Sequence, residues 1–393
     1  MKKIFLSISA LIIMVSFSLA QEDGYKFTVE KEIKTSPVRD QYRSGTCWSF
    51  AGLAFVEAEM IRLGKEVVDL AEMYAVKKCY EDKAEKAVRM HGEFNFGGGG
   101  ALNDPMDVIK KHGIVPEEVY SGLQYGTEKH VHGEIDNLLV ALVEAIIKNP
   151  NKELSTGWKA AIKGVVEAYL GEEPAHFTFK GKKYTPKTFS NEVVGINPDD
   201  YVLLTSFSHH PFYKPFILEI PDNWSWANMY NLPLDEFMAI FDASINKGYT
   251  VGWASDVSEK GFSWKNGIAI VPDEEIENLS GLEQSKWDDM SPSERQKLFY
   301  TFEKPIKEKV ITQEIRQQAF DNYQTTDDHG MLISGIAKDQ NGTKYYIVKN
   351  SWGEAGIYKG FFYASEAFVK YKTISIIVHK DVVPKELRTK LGF

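Results

Sequence analysis

The stretch 41-QYRSGTCWSFAG-52 contains one of only two cysteines in a chain of 393 residues. Cys47 follows Gly45 and Thr46 and stands where the apolar pattern of a helix begins. Backbone amides and the dipole at a helix N-terminus stabilise a thiolate, and a nearby imidazolium would lower the pKa of the thiol further. A thiolate is the attacking species in cysteine-dependent acyl transfer, so the stretch predicts that Cys47 is a nucleophile.

The cysteine count limits the class of protein. Two cysteines, Cys47 and Cys79, are too few for a secreted disulfide scaffold, and the fold must therefore depend on its core. A single bridge between them stays open as an alternative, and Cys79 is otherwise expected to be a buried free thiol. With 43% hydrophobic and 26% charged residues, the composition is ordinary for a soluble globular protein.

The N-terminus has the layout of a secretory signal peptide. Lys2 and Lys3 precede an apolar run from Ile4 to Phe17, and small residues lead up to Ala20. We therefore expect cleavage after Ala20, a secreted or periplasmic protein, and no membrane association after cleavage. Removing the two lysines takes the formal charge from −9 to −11. Such an acidic chain is not expected to bind nucleic acid, because neutralising phosphates requires clustered basic residues.

The patterns divide the chain into a helical first half and a β-rich second half. The sequence predicts a helix from Cys47 to Leu63, ended by Gly64, and a second helix from about Leu70 to Arg89. Strand patterns begin near Tyr201. The predicted domains are a signal peptide over 1–20, a helical lobe with the nucleophile over 21–127, a helical insertion over 128–200 and a β-rich lobe over 201–393. The last lobe includes a surface insertion around 260–320 and a C-terminal tail.

A second cluster of chemically active residues lies in a predicted hairpin. Asn341-Gly342 separates two alternating apolar runs, which is a strong hairpin pattern, so His329 and Asn350 are expected side by side at its open end. An imidazole held by an amide side chain is the arrangement that a Cys/His pair needs. Trp352 follows closely, and its indole is expected to keep water away from the Asn–His hydrogen bond.

Gln41 completes the predicted site. It lies six residues before Cys47, where its amide N–H would reach the carbonyl oxygen of a substrate attacked by the thiolate. Together with the backbone N–H of Cys47 it would form an oxyanion hole. Asp327 and Asp328, directly before His329, are expected to shape the loop. His209-His210 has no partner ligands at metal spacing, so neither a metal nor a cofactor is expected.

Three segments together resemble a known family. In chain order, "QYRSGTCWSFA", "DDHGMLISGIA" and "YIVKNSWGEAG" resemble the Gln/Cys, His and Asn segments of papain-like cysteine peptidases. Two further stretches, "ALNDPMDVIKKHGIVPEEVY" and "PLDEFMAIFDASINKGYTVGWASDV", are similar to the bleomycin hydrolase and aminopeptidase C branch. The resemblance extends from roughly Lys31 to the C-terminus. It implies an α+β, papain-like two-lobed fold, a helical lobe plus an antiparallel β-barrel-like lobe, with helical insertions.

The resemblance also implies an activity. The chain is expected to be a cysteine peptidase acting on peptide substrates, most simply an aminopeptidase, without a cofactor and as a homo-oligomer, a hexamer in that branch. There, a C-terminal carboxylate meets the free amine of the substrate, and the tail ending at Phe393 leaves this open. The implied roles are nucleophile for Cys47, acid/base for His329, orienting group for Asn350, oxyanion donor for Gln41, and substrate-binding residues Gly98, Gly99 and Trp352.

Two departures from the papain pattern keep more than one function open. Ser44 stands where that pattern has a cysteine, and the interval from Cys47 to His329 is about twice the usual 130–150 residues, which implies large insertions. A tail that does not reach the cleft would favour an endopeptidase over an aminopeptidase. The same residues are also compatible with acyl transfer to an amine, or with a non-catalytic scaffold that binds peptides.

Overall fold

The computed structural model describes residues 24–274 and 289–393. The predicted signal peptide and part of the predicted surface insertion lie outside the described residues. Among those described, no helix is long and apolar enough to cross a membrane.

The first part of the chain is helical, as the sequence predicts. The helix that starts at Cys47 is confirmed, and it is followed by Gly64 with a φ of +72°, a left-handed conformation that suits glycine. Its burial on nearly all sides agrees with its continuous apolar pattern. The helices of this part are α1 (Cys47–Arg62), α2 (Glu72–Arg89), α3 (Asp104–His112), α4 (Gly133–Ile147), α5 (Trp158–Leu170) and α6 (Pro186–Phe189).

The second part of the chain supplies most of the strands. The strands are β1 (Thr28–Glu32), β2 (Phe177–Phe179), β3 (Lys182–Tyr184), β4 (Tyr201–Thr205), β5 (Pro215–Ile217), β6 (Asn228–Asn231), β7 (Val251–Ser255), β8 (Phe262–Ser263), β9 (Ile268–Ala269), β10 (His329–Lys338), β11 (Lys344–Lys349), β12 (Phe361–Ser365) and β13 (Thr373–His379). The helices here are α7 (Leu234–Lys247), α8 (Pro292–Phe299), α9 (Gln313–Asp321), α10 (Glu366–Lys372) and α11 (Lys385–Leu391).

Most strands form one sheet with the order β5-β6-β4-β13-β7-β10-β11-β12-β9-β8, and β2 and β3 form a separate hairpin. The predicted hairpin is confirmed: β10 and β11 run antiparallel, with Leu332 opposite Lys349 and Lys338 opposite Lys344. β1 comes from the N-terminal part of the chain and pairs with β10, so the sheet includes a strand that precedes the helical part.

Each face of the sheet is covered by a separate apolar cluster. Helices α1 and α2 pack on one face, where Leu332 of β10 joins their cluster. Helix α7 packs on the other, and the next residue of the strand, Ile333, points to that side. Successive side chains of a strand point to opposite faces of the sheet, and here both faces are buried.

Gly330 brings the nucleophile helix close to the sheet. A Cβ at this position would lie 3.3 Å from the Cα of Trp48 and 3.4 Å from the Cβ of Ala51. The absence of a side chain therefore lets the first turn of α1 rest directly on the start of β10. As a result, Cys47 and His329, which are far apart in the chain, reach the same region.

The last helix packs on the α7 face of the sheet. The ring of Phe393 lies 5.0 Å from that of Tyr230 on β6, and Leu387 and Leu391 join the cluster around α7. Three strands, β4, β13 and β7, stand between β6 and β10. At the usual strand spacing this places β6 about 19 Å from β10 across the sheet.

Candidate active site

Cys47 is the first residue of α1 and is only partly exposed. The turn before it is held by a 2.6 Å hydrogen bond between the hydroxyls of Ser44 and Thr46, and Gly45 takes a φ of +63°. Both Cys47 and Cys79 are free thiols in this structure, so the alternative prediction of a disulfide between them is wrong. Cys79 is buried, as expected.

His329 and Asn350 meet at the open end of the hairpin. The imidazole Nε2 lies 2.7 Å from the Oδ1 of Asn350, and the same oxygen accepts a 2.8 Å hydrogen bond from the backbone N–H of Ser351. A backbone N–H can only donate, which fixes the accepting atom as oxygen. Nε2 must then carry a proton, and Nδ1 of the neutral ring is left free to accept one. The sequence prediction that the two residues lie side by side is confirmed.

Trp352 covers this pair. Its ring centroid lies 4.9 Å from that of His329, with an angle of 31° between the planes. The indole is itself held by edge contacts from Trp264 at 5.1 Å and Phe262 at 5.9 Å. An apolar cover limits competition by water for the His329–Asn350 hydrogen bond, which is the role expected for Trp352.

Gln41 is tied to the segment that follows Asn350. Its backbone N–H donates to the carbonyl of Ser351 at 2.8 Å, and its Oε1 accepts a hydrogen bond from the Ser351 hydroxyl at 2.6 Å. These two bonds fix the orientation of the buried amide and occupy its acceptor end. Its Nε2 has no hydrogen bond within the described ranges, so the donor end stays available.

Cys47 and His329 line one cavity of about 20 Å³, which has room for about one water molecule. Three carboxylates, those of Asp222, Asp327 and Asp328, also line it. Gln41, Asn350 and Trp352 are not part of this lining. Asp222 has no recognisable pattern in the sequence, and only the fold brings it to the cavity.

The glycine loop, residues 97–100, contains the predicted substrate-binding residues Gly98 and Gly99 and adjoins the acidic wall that these three carboxylates form. The indole Nε1 of Trp48 donates to the carbonyl of Gly98 at 2.9 Å, which attaches the loop to the residue after Cys47. A Cβ on Gly99 would overlap the carboxylate of Asp222, and one on Gly98 would lie 3.2 Å from Oδ2 of Asp136. The loop therefore needs glycines to admit these carboxylates. Substrate pairing by Gly98 and Gly99 stays a prediction.

The electrostatics favour neutral forms of both Cys47 and His329. Burial raises the pKa of the Cys47 thiol to about 12, and the charges of Asp222 and Asp327 act in the same direction. The backbone N–H of Gly330 works against this rise. Burial also lowers the pKa of His329, although the bond to Asn350 opposes it. The expected lowering of the thiol pKa by the helix N-terminus is therefore outweighed by desolvation and by negative charge.

One group of side chains offers metal ligands among the described residues. The ligand atoms of His209, His210 and Glu219 lie within 4.8 Å of one another. The sequence shows no partner for the histidine pair, and the fold supplies it: Glu219 lies 3.2 Å from Nε2 of His209 and 2.7 Å from Nε2 of His210. These contacts also make an ordinary surface ion pair when a histidine is protonated. The expectation of no metal stays a prediction.

The helix-on-sheet architecture and the Cys/His/Asn arrangement define the class of papain-like thiol peptidases. The chain belongs to the Peptidase C1-like family, whose model matches residues 80–287 and 297–392. It is 24% identical to Aminopeptidase C of Lactococcus lactis subsp. cremoris over 396 residues, covering 90% of this chain and 83% of the relative. The chain is 22% identical to Aminopeptidase G of Lactobacillus delbrueckii subsp. lactis, and the match covers 92% of this chain and 85% of the relative.

A solved structure supports the same fold. The crystal structure of pepw from Lactobacillus rhamnosis HN001 matches with a TM-score of 0.68 at 20% sequence identity, over 93% of this chain and 84% of that one. The predicted papain-like α+β fold is confirmed, and so is the resemblance to the aminopeptidase C branch.

Proposed function

We propose that the chain is a cysteine aminopeptidase that releases N-terminal residues through a Cys47 acyl-enzyme. The observation that carries this proposal is the hydrogen bond between His329 and Asn350 at 2.7 Å. This bond leaves the other imidazole nitrogen of His329 free, and the same ring lines the cavity of Cys47. The names of the relatives favour an aminopeptidase over other thiol peptidases.

The residues perform the reaction in two stages. Nδ1 of His329 takes the proton of the Cys47 thiol as sulfur attacks the carbonyl carbon of the scissile bond. The developing oxyanion accepts hydrogen bonds from the backbone N–H of Cys47 and from Nε2 of Gln41. Collapse breaks the C–N bond, and the imidazolium protonates the leaving amine. Water, deprotonated by His329, then hydrolyses the thioester and regenerates the thiol.

The neutral resting pair suits this sequence of events. Both charged forms are disfavoured separately by burial, but a thiolate and an imidazolium formed together in one cavity attract each other. Asn350 keeps Nε2 protonated and so directs Nδ1 to the proton transfer. Asn350 is thus an orienting group, while Cys47 and His329 carry the chemistry.

The position of Asp222 favours an aminopeptidase over an endopeptidase. An endopeptidase has to accommodate an extended peptide on both sides of the scissile bond. On one side the glycine loop is already covered by Asp222. A non-catalytic scaffold is disfavoured because the sequence retains Gln41, Cys47, His329 and Asn350.

The decisive experiment compares fluorogenic aminoacyl-coumarin and dipeptidyl-coumarin amides that have free and acetylated N-termini. The wild-type enzyme is expected to cleave only the free-amine substrates, and Cys47→Ala is expected to abolish this turnover. Cys79→Ala is the matched control, because it removes the other free thiol, which is buried. Cleavage of blocked dipeptides would indicate an endopeptidase, and transfer of the acyl group to added amines would indicate a transferase. No turnover that depends on Cys47 would support the scaffold.

Export and assembly are further parts of the proposal. The charged and apolar order of residues 1–20 supports a secreted or periplasmic location. Mass spectrometry of the N-terminus of protein from the native host would show whether cleavage follows Ala20. Light scattering would show whether the mature chain forms the hexamer implied by the resemblance.

A further inference from the structure

One loop rigidly holds Asp222, a member of the acidic wall of the cavity. Residues 218–227 connect β5 to β6, and Asn223 ties the two ends of the loop together. Its Nδ2 donates to the carbonyls of Leu218 and Ala227, both at 3.1 Å, and its Oδ1 accepts from the backbone N–H of Ala227 at 2.9 Å. Asp222 is the residue directly before this clamp, so its position in the cavity is fixed by the loop.

A second anchor fastens the same loop to the helical part. The indole Nε1 of Trp224 donates to Oδ2 of Asp104 at 2.6 Å, and Nζ of Lys86 donates to the carbonyl of Trp224 at 2.6 Å. Asp222 is therefore supported on both sides, from its own loop and from helices α2 and α3. A carboxylate held this firmly in a cavity is suited to recognising one group in one place.

Two of the three carboxylates that line the cavity, those of Asp222 and Asp327, lack a full cationic partner. Oδ2 of Asp327 is buried and has no hydrogen-bond partner among the described residues. Within the same part of the chain, neither Asp222 nor Asp327 forms an ion pair with a lysine or arginine. The charge of Lys83 favours ionisation of Asp222. The Nζ of Lys83, however, donates its hydrogen bonds to the carbonyls of Gly97, at 3.1 Å, and Gly99.

Placing two negative charges in a partly dry cavity is costly unless a cation joins them. The charge of Asp222 disfavours ionisation of Asp327, and the charges of both disfavour ionisation of the thiol of Cys47. A positive group bound between them would relieve all of these interactions. The cavity therefore favours a cationic ligand directly beside the nucleophile.

We propose that Asp222 and Asp327 bind the free α-ammonium group of the residue that the enzyme removes. This inference rests on the proposed aminopeptidase function and names the residues that select for a free N-terminus. In such a substrate the ammonium nitrogen is two bonds from the carbonyl carbon attacked by Cys47. It must therefore lie in the same cavity as the thiol, where both carboxylates lie.

Asp222 would also limit how many residues the enzyme removes from the N-terminus of the substrate in one reaction. Its carboxylate lies where a side chain on Gly99 would be, and the backbone N–H of Gly100 stabilises its charge. A peptide that extended past its first residue along the glycine loop would meet this carboxylate instead of open backbone. The residues up to Phe393 do not supply the anion in this structure, because Phe393 packs against Tyr230 on the α7 face.

The test uses three coumarin amides that differ only at the α-position: alanyl, N-acetylalanyl and propionyl. Propionyl has the size of alanyl but no amine, so it separates charge from bulk. Asp222→Asn and Asp327→Asn are expected to lower the alanyl-to-propionyl ratio of kcat/KM at least tenfold, mainly through KM. Turnover of the propionyl amide should not fall. Asp136→Asn is the matched control, because Asp136 faces Gly98, also acts on Lys83 and does not line the cavity.

A binding measurement makes the test independent of turnover. Alaninamide is expected to bind Cys47→Ala protein at least tenfold more tightly than propionamide in calorimetry, and Asp222→Asn is expected to remove the difference. Equal binding, or an alanyl preference that survives both substitutions, would overturn the inference while leaving the aminopeptidase intact. Parallel losses for alanyl and propionyl amides would make Asp222 a structural partner of Lys83. A wild-type enzyme without any preference for free amines would instead overturn the proposed function.

Discussion

The cavity beside Cys47 has two walls that the chain builds in different ways. One wall is the open end of the β10–β11 hairpin, where His329 and Asn350 are brought together by strands that are close in sequence. The other is the loop of residues 218–227, which is closed by Asn223 and presents Asp222. The first wall carries groups for proton transfer, and the second carries the negative charge that we assign to recognition.

This difference teaches how catalysis and selectivity are separated in the molecule. The hairpin side depends on a short hydrogen-bond relay that any peptidase of this class needs. The loop side adds carboxylates that make the thiol harder to ionise, because their charges raise the pKa of Cys47. Such a cost is understandable if a substrate ammonium neutralises those charges when it binds. Changes to the hairpin wall should then stop the reaction, whereas changes to the loop wall should redirect it.

The largest effect is expected on the hairpin wall. His329→Ala removes the base for Cys47 and the acid for the leaving amine, so kcat/KM should fall by about 10³-fold or more. Steady-state assays with the alanyl amide measure this, with exposed His176→Ala as the control. A variant that kept more than about a tenth of the wild-type activity would show that the imidazole is not part of the reaction.

A smaller effect with a different character is expected when the loop wall is loosened. Asn223→Ala removes three hydrogen bonds inside the loop, including the one that accepts from the backbone N–H of Ala227. The free energy of unfolding should fall by about 2–3 kcal/mol in urea denaturation. The preference for free-amine substrates should also fall, because Asp222 loses its support.

Asn228→Ala is the control for this loop, since Asn228 is exposed on β6 and should keep both stability and preference. Loss of stability with an unchanged free-amine preference would separate the loop from recognition. In that case the comparison of the two walls would have to be abandoned.

The sequence could predict the hairpin wall because its rules are local. The Asn341-Gly342 turn and the alternating runs define the pairing, and the pairing places His329 beside Asn350 without further information. The start of α1 at Cys47 follows in the same way from the helix pattern. The approach of α1 to β10 depends on Gly330, whose contact with Trp48 is visible only once the fold is known.

The loop wall could not be predicted for a physical reason. Asp222 is an ordinary loop aspartate in sequence, and its environment comes from the glycine loop, from α2 and from Asp327, which are distant in the chain. The same holds for Glu219, which meets His209 and His210 only in the folded loop. The sequence likewise could not predict that the pKa of the Cys47 thiol is raised. The effect of a helix end can be inferred from neighbouring residues, whereas desolvation depends on the whole fold.

The two glycines of the loop at 97–100 give a sharper comparison. Gly99→Ala would place a methyl group against the Asp222 carboxylate, and we expect a loss of about 1–3 kcal/mol in unfolding free energy. We also expect about a tenfold fall in kcat/KM for the alanyl amide. Gly98→Ala would place its methyl group 3.2 Å from Oδ2 of Asp136 and 3.5 Å from the hydroxyl of Tyr80, without overlap, and should have a much smaller effect. Equal losses of activity at both positions, with unchanged stability, would instead favour direct pairing of both glycines with substrate backbone.

The last effect is a pH dependence of stability that arises from Asp327, whose carboxylate interacts with that of Asp222. Burial, followed by the charge of Asp222, raises the pKa of Asp327 from 3.8 to about 8. Between these values the folded protein holds a proton that the unfolded chain releases, so this contribution to the free energy of unfolding should decline as pH rises from about 4 to 8.

Urea denaturation at pH 5 and at pH 8 measures that decline in the wild type and in Asp327→Asn, which has no proton to lose there. The variant should show a flatter profile, whereas Asp200→Asn, an exposed carboxylate, should keep the wild-type slope. An unchanged slope in Asp327→Asn would mean that this carboxylate is already charged in the free enzyme. Asp327 would then carry its negative charge before the substrate arrives, and binding of an ammonium would release no proton from it.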